Sequence, residues 1–147
     1  GEGTWISDDI VRAYVELHAH GVAHSVETWH EGQLVGGLYG VSIGRMFFGE
    51  SMFSSATNAS KVALVALAKV CADHGIGLID CQVYNTHLES LGATLMSRQD
   101  FEKTLRDAIK LPMTSILTNP RCLLPLSPNP LDARLQGLVP RDAGVLL

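Results

Sequence analysis

The 147-residue chain has only three cysteines, Cys71, Cys81 and Cys122, and no CxxC pair. An odd, scattered set supplies no disulfide framework and no thiolate zinc site; it reads as reduced thiols in a cytoplasmic protein. No apolar run reaches the roughly 18 residues that a bilayer span needs, so no membrane partner is expected. Positive charge is scarce. Eleven Lys and Arg stand against 15 Asp and Glu, a net charge of −4. That argues against a surface covered in phosphate-binding lysines but leaves room for a local basic patch. There is no P-loop, no GxGxxG and no HExxH, so neither a phosphate cradle nor a zinc helix is called for. His18, His20 and His24 cluster at a spacing that fits no metal motif, and no metal or cofactor is expected. Proline is missing from the first 111 residues; all six lie between Pro112 and Pro140.

What is present is enough for one domain with a real core: 46% of the residues are hydrophobic. Ser7, Asp8 and Asp9 open a helix to about His20, with Ile10, Ala13, Tyr14 and Leu17 on one face and Gly21 as its stop. The period then changes to that of strands. Ala23 to Trp29, Leu34 to Val41 and Arg45 to Phe53 form an antiparallel meander. Gly36, Gly37 and Gly40 sit where a strand expects side chains, which marks a bulge or a close approach. Asn58 or Thr57 caps a second helix to about Asp73. It is apolar nearly all round, so it belongs against a sheet. A buried strand from Gly77 to Val83 follows, making a βαβ crossover parallel to the third strand. His87 to Leu91 is a helical turn. Ser97 and Asp100 are a capping box for a helix from Arg98 to Lys110. Arg121 to Leu124 is a final edge strand, and an extended, proline-containing tail occupies 126–147.

Chemistry concentrates at two places. Phe47 to Lys61 begins as an apolar strand and ends in a polar turn, with one carboxylate, Glu50, embedded in it. An unpaired charge there costs several kcal/mol of desolvation, so Glu50 needs a partner or a ligand. Asp80 and Gln82 are two apart on one strand and share a face, with Ile79 and Cys81 turned the other way. A polar pair capping neighbouring loops explains them equally well. The sharper reading puts Glu50 and Asp80 at the carboxyl ends of adjacent parallel strands, where crossover sheets splay and hold ligands. An acidic pocket beside an apolar one suits an amine.

Several stretches carry a resemblance. Leu34-Val35-Gly36-Gly37-Leu38-Tyr39-Gly40, Phe48-Gly49-Glu50-Ser51-Met52-Phe53-Ser54, Asn58-Ala59-Ser60-Lys61, Leu78-Ile79-Asp80-Cys81-Gln82-Val83 and Ser90-Leu91-Gly92-Ala93 closely resemble the leucyl/phenylalanyl-tRNA–protein transferase family. Trp5-Ile6, His24-Ser25-Val26-Glu27 and Pro120-Arg121-Cys122-Leu123 agree with it. The resemblance covers roughly residues 3–125, in order and without large gaps. It implies a GNAT-like acyltransferase domain over 1–125, lacking the substantial N-terminal portion that the family carries.

The activity so implied moves Leu, Phe or Met from an aminoacyl-tRNA to the α-amino group of a protein that begins with Arg or Lys, creating an N-degron. Trp5 would flank the terminal adenosine. The apolar donor side chain would lie among Leu38, Phe47, Met52, Leu64, Leu67 and Ile79. Phe47 and Met52 fall on opposite faces of a regular strand, so a bulge is needed between them, with Gly49 the obvious place. By the same resemblance Gln82 touches the attacking amine, Asp80 polarises Gln82, and Glu50 holds the acceptor or relays its proton. The missing portion, or a companion chain, would be a further partner. Two other classes stand beside this: a non-catalytic or companion-dependent fragment of such an enzyme, and another amine N-acyltransferase on the same scaffold.

Overall fold

The computed structural model describes residues 6–113, 123–124 and 144–146. The elements in order are α1 (Asp8–Ala19), β1 (Ala23–His30), β2 (Gln33–Ile43), β3 (Met46–Ser54), α2 (Ala59–Asp73), β4 (Leu78–Asp80), α3 (Thr86–Ser90), α4 (Arg98–Ala108), β5 (Leu123–Leu124) and β6 (Gly144–Leu146). The strands form one sheet in the order β4-β3-β2-β1-β6-β5. β1, β2 and β3 are an antiparallel meander, and α2 crosses over so that β4 lies parallel to β3. The fold class is mixed α/β, as expected. Trp5 and residues 121–122 of the expected edge strand lie outside the described residues.

Local chemistry accounts for the boundaries. The Ser7 hydroxyl accepts from the Ile10 N–H at the start of α1, where Asp8 and Asp9 complement the helix dipole. At the other end Gly21, at φ +72°, lets the Val22 N–H return to the Leu17 carbonyl. Gly75 does the same for α2, sending the Ile76 N–H back to Cys71.

α2 starts differently from the expectation. Asn58 occupies the cap position in a left-handed conformation and makes no side-chain cap. Ser54, at the end of β3, supplies it instead: its hydroxyl accepts from the Ser60 N–H at 3.2 Å and donates to the Ala56 carbonyl at 2.7 Å. Thr28 of β1 adds a buried bond to the Ala59 carbonyl. The first turn of α2 is thereby tied to two strands.

The core lies between α2 and one face of the sheet. It comprises Val26, Leu38, Phe47, Val62, Ala63, Ala66, Leu67, Val70, Cys71 and Ile76. The strand glycines permit the close packing. A Cβ on Gly36 would stand 2.5 Å from the Ala59 Cβ, and one on Gly40 would stand 2.1 Å from the Phe48 carbonyl oxygen. α1 covers part of the opposite face.

Two further differences bear on the site. β4 ends at Asp80, three residues before the expected boundary, because Gln82 adopts φ +60° and leaves the strand. No strand was expected in the tail, yet Gly144–Leu146 pairs antiparallel with Glu27–Trp29 of β1 and separates it from β5. The edge strand is therefore Leu123–Leu124, with a tail strand inserted inside it.

Candidate functional site

The site forms where β3 and β4 part. Their parallel pairing ends at Phe48 opposite Asp80. Beyond it, β3 continues through Gly49 and Glu50 while the chain leaves β4 through Cys81 and Gln82. The gap is bridged by one side chain: Gln82 Nε2 donates to the Gly49 carbonyl at 2.7 Å. Gln82 is itself held by Asp80, whose Oδ1 accepts from the Gln82 backbone N–H at 2.8 Å. Asp80 thus grips the Gln82 main chain and fixes its left-handed turn. The sequence placed both residues on one strand face with a side-chain relay; in the structure Gln82 is off the strand and the link runs through its backbone. With one N–H engaged, the Gln82 amide keeps a second N–H and its Oε1 for a ligand.

Glu50 is presented by a bulge. Tyr39 pairs with Ser51 and Gly40 with Gly49, which leaves Glu50 as the residue without an opposite number. The bulge expected at Gly49 lies one residue further on. It restores parity as required: Phe47 pairs with Ser42 and Met52 with Leu38, two residues of the same β2 face. It also turns Glu50 towards two tyrosines. Burial pushes the Tyr14 phenol up from its usual 10.0, and the nearby Glu50 charge and a hydrogen bond with Glu50 add to the shift. Tyr39 is raised by burial and then by Glu50. The two rings meet edge to face, 5.1 Å apart. The Tyr39 hydroxyl is buried and has no hydrogen-bond partner among the described residues. Neither tyrosine was singled out as a site residue from the sequence, since a tyrosine on an amphipathic helix and another on a strand are ordinary core residues.

Five of the six apolar candidates gather on the α2 side. Leu38, Phe47 and Leu67 belong to the core cluster, and Leu64 and Ile79 pack against it. Phe47 is wholly buried, whereas Met52 is 38% exposed, lies outside that cluster and lines a cavity with Ile6, Leu34 and Phe53. Cys81, between Asp80 and Gln82, has its thiol raised by burial and then by the Asp80 charge. No cluster of three or more His, Cys, Asp or Glu able to hold a metal ion occurs among the described residues. No helix among them is long and apolar enough to cross a membrane.

The arrangement defines a class: a mixed α/β domain in which two parallel strands part and an amide bridges the gap, with one carboxylate holding its main chain. A second carboxylate stands on a bulge in the middle of β3, rather than at the strand's carboxyl end as expected, next to an apolar cluster. Residues 1–106 match the family model described as leucyl/phenylalanyl-tRNA protein transferase. Among curated relatives, the leucyl/phenylalanyl-tRNA–protein transferase of Nitrosomonas europaea is 59% identical over 110 residues, 75% of this chain and 47% of the relative. The transferase of Cupriavidus necator is 55% identical over 114 residues, 78% of this chain and 46% of the relative. That of Pseudoalteromonas atlantica is 52% identical over 119 residues, 81% of this chain and 51% of the relative. The chain belongs to the leucyl/phenylalanyl-tRNA–protein transferase family. It spans about half the length of the curated relatives it matches.

Proposed function

We propose that this chain carries the reaction centre of an aminoacyl transfer: Leu, Phe or Met passes from an aminoacyl-tRNA to the N-terminal amine of a protein that begins with Arg or Lys, marking it as an N-degron. The scaffold is read as GNAT-like, over residues 1–125. The observation that carries the reading is the Asp80–Gln82–Gly49 joint. It aims a neutral amide, with one free acceptor oxygen, into the gap between β3 and β4, beside the Glu50 bulge.

The step balances without a cofactor. The amine nitrogen attacks the ester carbonyl, a C–N bond forms, and the bond between the acyl carbon and the ribose oxygen breaks. The proton lost by the amine ends on the departing ribose hydroxyl. The ester is already activated, so the protein orients the amine, accepts its proton in passing and stabilises the oxyanion. Gln82 is the positioner. A primary amide is a very weak base, so the proton passes to a carboxylate or water. Glu50 suits the cationic side of the acceptor. Leu38, Phe47, Met52, Leu64, Leu67 and Ile79 suit the donor side chain, whose burial contributes about 1.5–3 kcal/mol. Trp5 is assigned to the terminal adenosine.

The test is transfer of labelled Leu from Leu-tRNA to a peptide that starts with Arg, using this chain alone and together with the remaining portion of the Cupriavidus necator enzyme. Transfer in either format that is lost in Gln82→Ala supports the reading. A Gln82→Ala protein that is folded and fully active contradicts it.

A further inference from the structure

Among the described residues the sheet ends at β4, whose outer side pairs with no further strand. The register says which groups that side presents. The Gly77 N–H donates to the Arg45 carbonyl at 2.9 Å, and a parallel ladder takes every second residue. The peptide groups of Ile79 therefore turn to β3, and those of Leu78 and Asp80 turn outward. No hydrogen bond to these outward groups occurs among the described residues. The next ladder bond would run from the Cys81 N–H to the Gly49 carbonyl, and the Gln82 side chain takes that carbonyl instead. The open edge thus leads straight to the amide assigned to the acceptor amine. Just past it, Val83 and Tyr84 are 66% and 49% exposed. Sheets blunt an open edge with lysine or proline, and Leu78-Ile79-Asp80 carries neither. Such an edge is a template for an added strand.

We infer that the acceptor protein docks here: its N-terminal segment lies extended along the outer side of β4, antiparallel to it, and exchanges main-chain hydrogen bonds with Leu78 and Asp80. Its first residue then passes the carboxyl end of β4, which brings the amine to Gln82. The edge is continuous with the gap between β3 and β4, so a chain that starts in the gap leaves along it. The first residues of a protein are also the stretch most often free to lie extended. Main-chain bonds ignore side chains, as an enzyme that reads only the first residue of many proteins requires. The inference rests on the reaction proposed above for the identity of the amine.

The test uses Arg-starting hexapeptides, N-methylated at one amide at a time from the second residue to the fifth. Methylation removes a donor and leaves every side chain as it was. In whichever format transfers Leu, KM for the peptide should rise about tenfold at two positions that are two residues apart. It should change little at the position between them, with turnover at saturation little altered. A flat scan, or an equal rise at every position, overturns the inference and leaves the transfer itself standing. Hydrogen exchange tests the edge without turnover. The Leu78 and Asp80 amides should slow at least about tenfold when the unmethylated hexapeptide is added, while the Ile79 amide, turned to β3, should not change. If no format transfers Leu, the proposed reaction fails and this measurement alone decides. Unchanged exchange at Leu78 and Asp80 with saturating peptide overturns the inference. So does protection of both amides before peptide is added. Protection that grows with protein concentration means that a second copy pairs with the edge, and protection that does not means that another part of the transferase covers it.

Discussion

At the scale of single residues, the geometry makes Asp80 a positioning residue. Its carboxylate fixes the Gln82 turn, and the Gln82 side chain reaches the Gly49 carbonyl. The same carboxylate stands beside Cys81, whose thiol is raised first by burial and then by that charge. Asp80→Asn should therefore lower the Cys81 pKa and speed its alkylation near neutral pH. Mass spectrometry of iodoacetamide-treated protein reads this directly; slower labelling would mean that Asp80 is not the nearby charge. Cys71 gives a contrasting signal. Burial in the core pushes its thiol from 9.0 to about 12. The folded protein then keeps a proton that the unfolded chain releases, so the contribution is complete below pH 9 and drains away as pH rises towards 12. Stability in urea should fall above pH 9 by up to about 1.4 kcal/mol per pH unit from this group, with Tyr14 and Tyr39 acting in the same direction at higher pH. Cys71→Ala should flatten the part of that slope nearest pH 9.

At the scale of elements, the period of the hydrophobic residues made α1, the three meander strands and α2 legible, because each is long enough for 3.6 or 2 to repeat. The bulge was also legible, as a parity conflict between Phe47 and Met52. Its position was not, because Gly49 looked the freer residue while the hydrogen-bond register falls at Glu50. The α2 cap was misplaced for a related reason. Asn58 has the right side chain and position, but Ser54 reaches the free N–H from a strand, and no local pattern encodes that contact. Ser54→Ala should lower stability by about 0.5–2 kcal/mol, more than Asn58→Ala through any loss of capping. Gly40→Ala should cost more, about 1–3 kcal/mol or beyond, because its Cβ meets the Phe48 backbone oxygen, which cannot turn aside. Equilibrium urea unfolding of the three variants ranks them; a Gly40→Ala protein as stable as the parent would mean that β2 and β3 do not lie in this register.

At the scale of the whole molecule, the sheet joins chemistry that the sequence keeps apart. Glu50 and Gln82 are 32 positions distant, and the α2 crossover returns the Gln82 side chain to the Gly49 carbonyl, next to Glu50 in the middle of β3. The sequence paired Asp80 with Gln82 by their spacing and brought Glu50 beside Asp80 through the crossover. The pairing of Asp80 with the Gln82 main chain depends on a left-handed residue that an ordinary glutamine does not announce. The inserted β6 was likewise invisible, since three residues of a proline-containing tail have no period to read.

The central claim is that Asp80 and Gln82 act as one unit on the acceptor amine, and a double-mutant cycle tests it most directly. Turnover for Leu transfer to an Arg-starting peptide is measured for Asp80→Asn, Gln82→Ala and the double substitution, in whichever format is active and with folding verified. Asp80→Asn weakens a charge-assisted hydrogen bond worth about 1.5–3 kcal/mol, a fall of roughly tenfold to hundredfold. Once the Gln82 amide is gone, the turn that Asp80 holds has nothing left to aim, so the double variant should be little slower than Gln82→Ala alone. Losses that add in full would contradict the account and leave Asp80 and Gln82 as independent polar residues at the end of a strand.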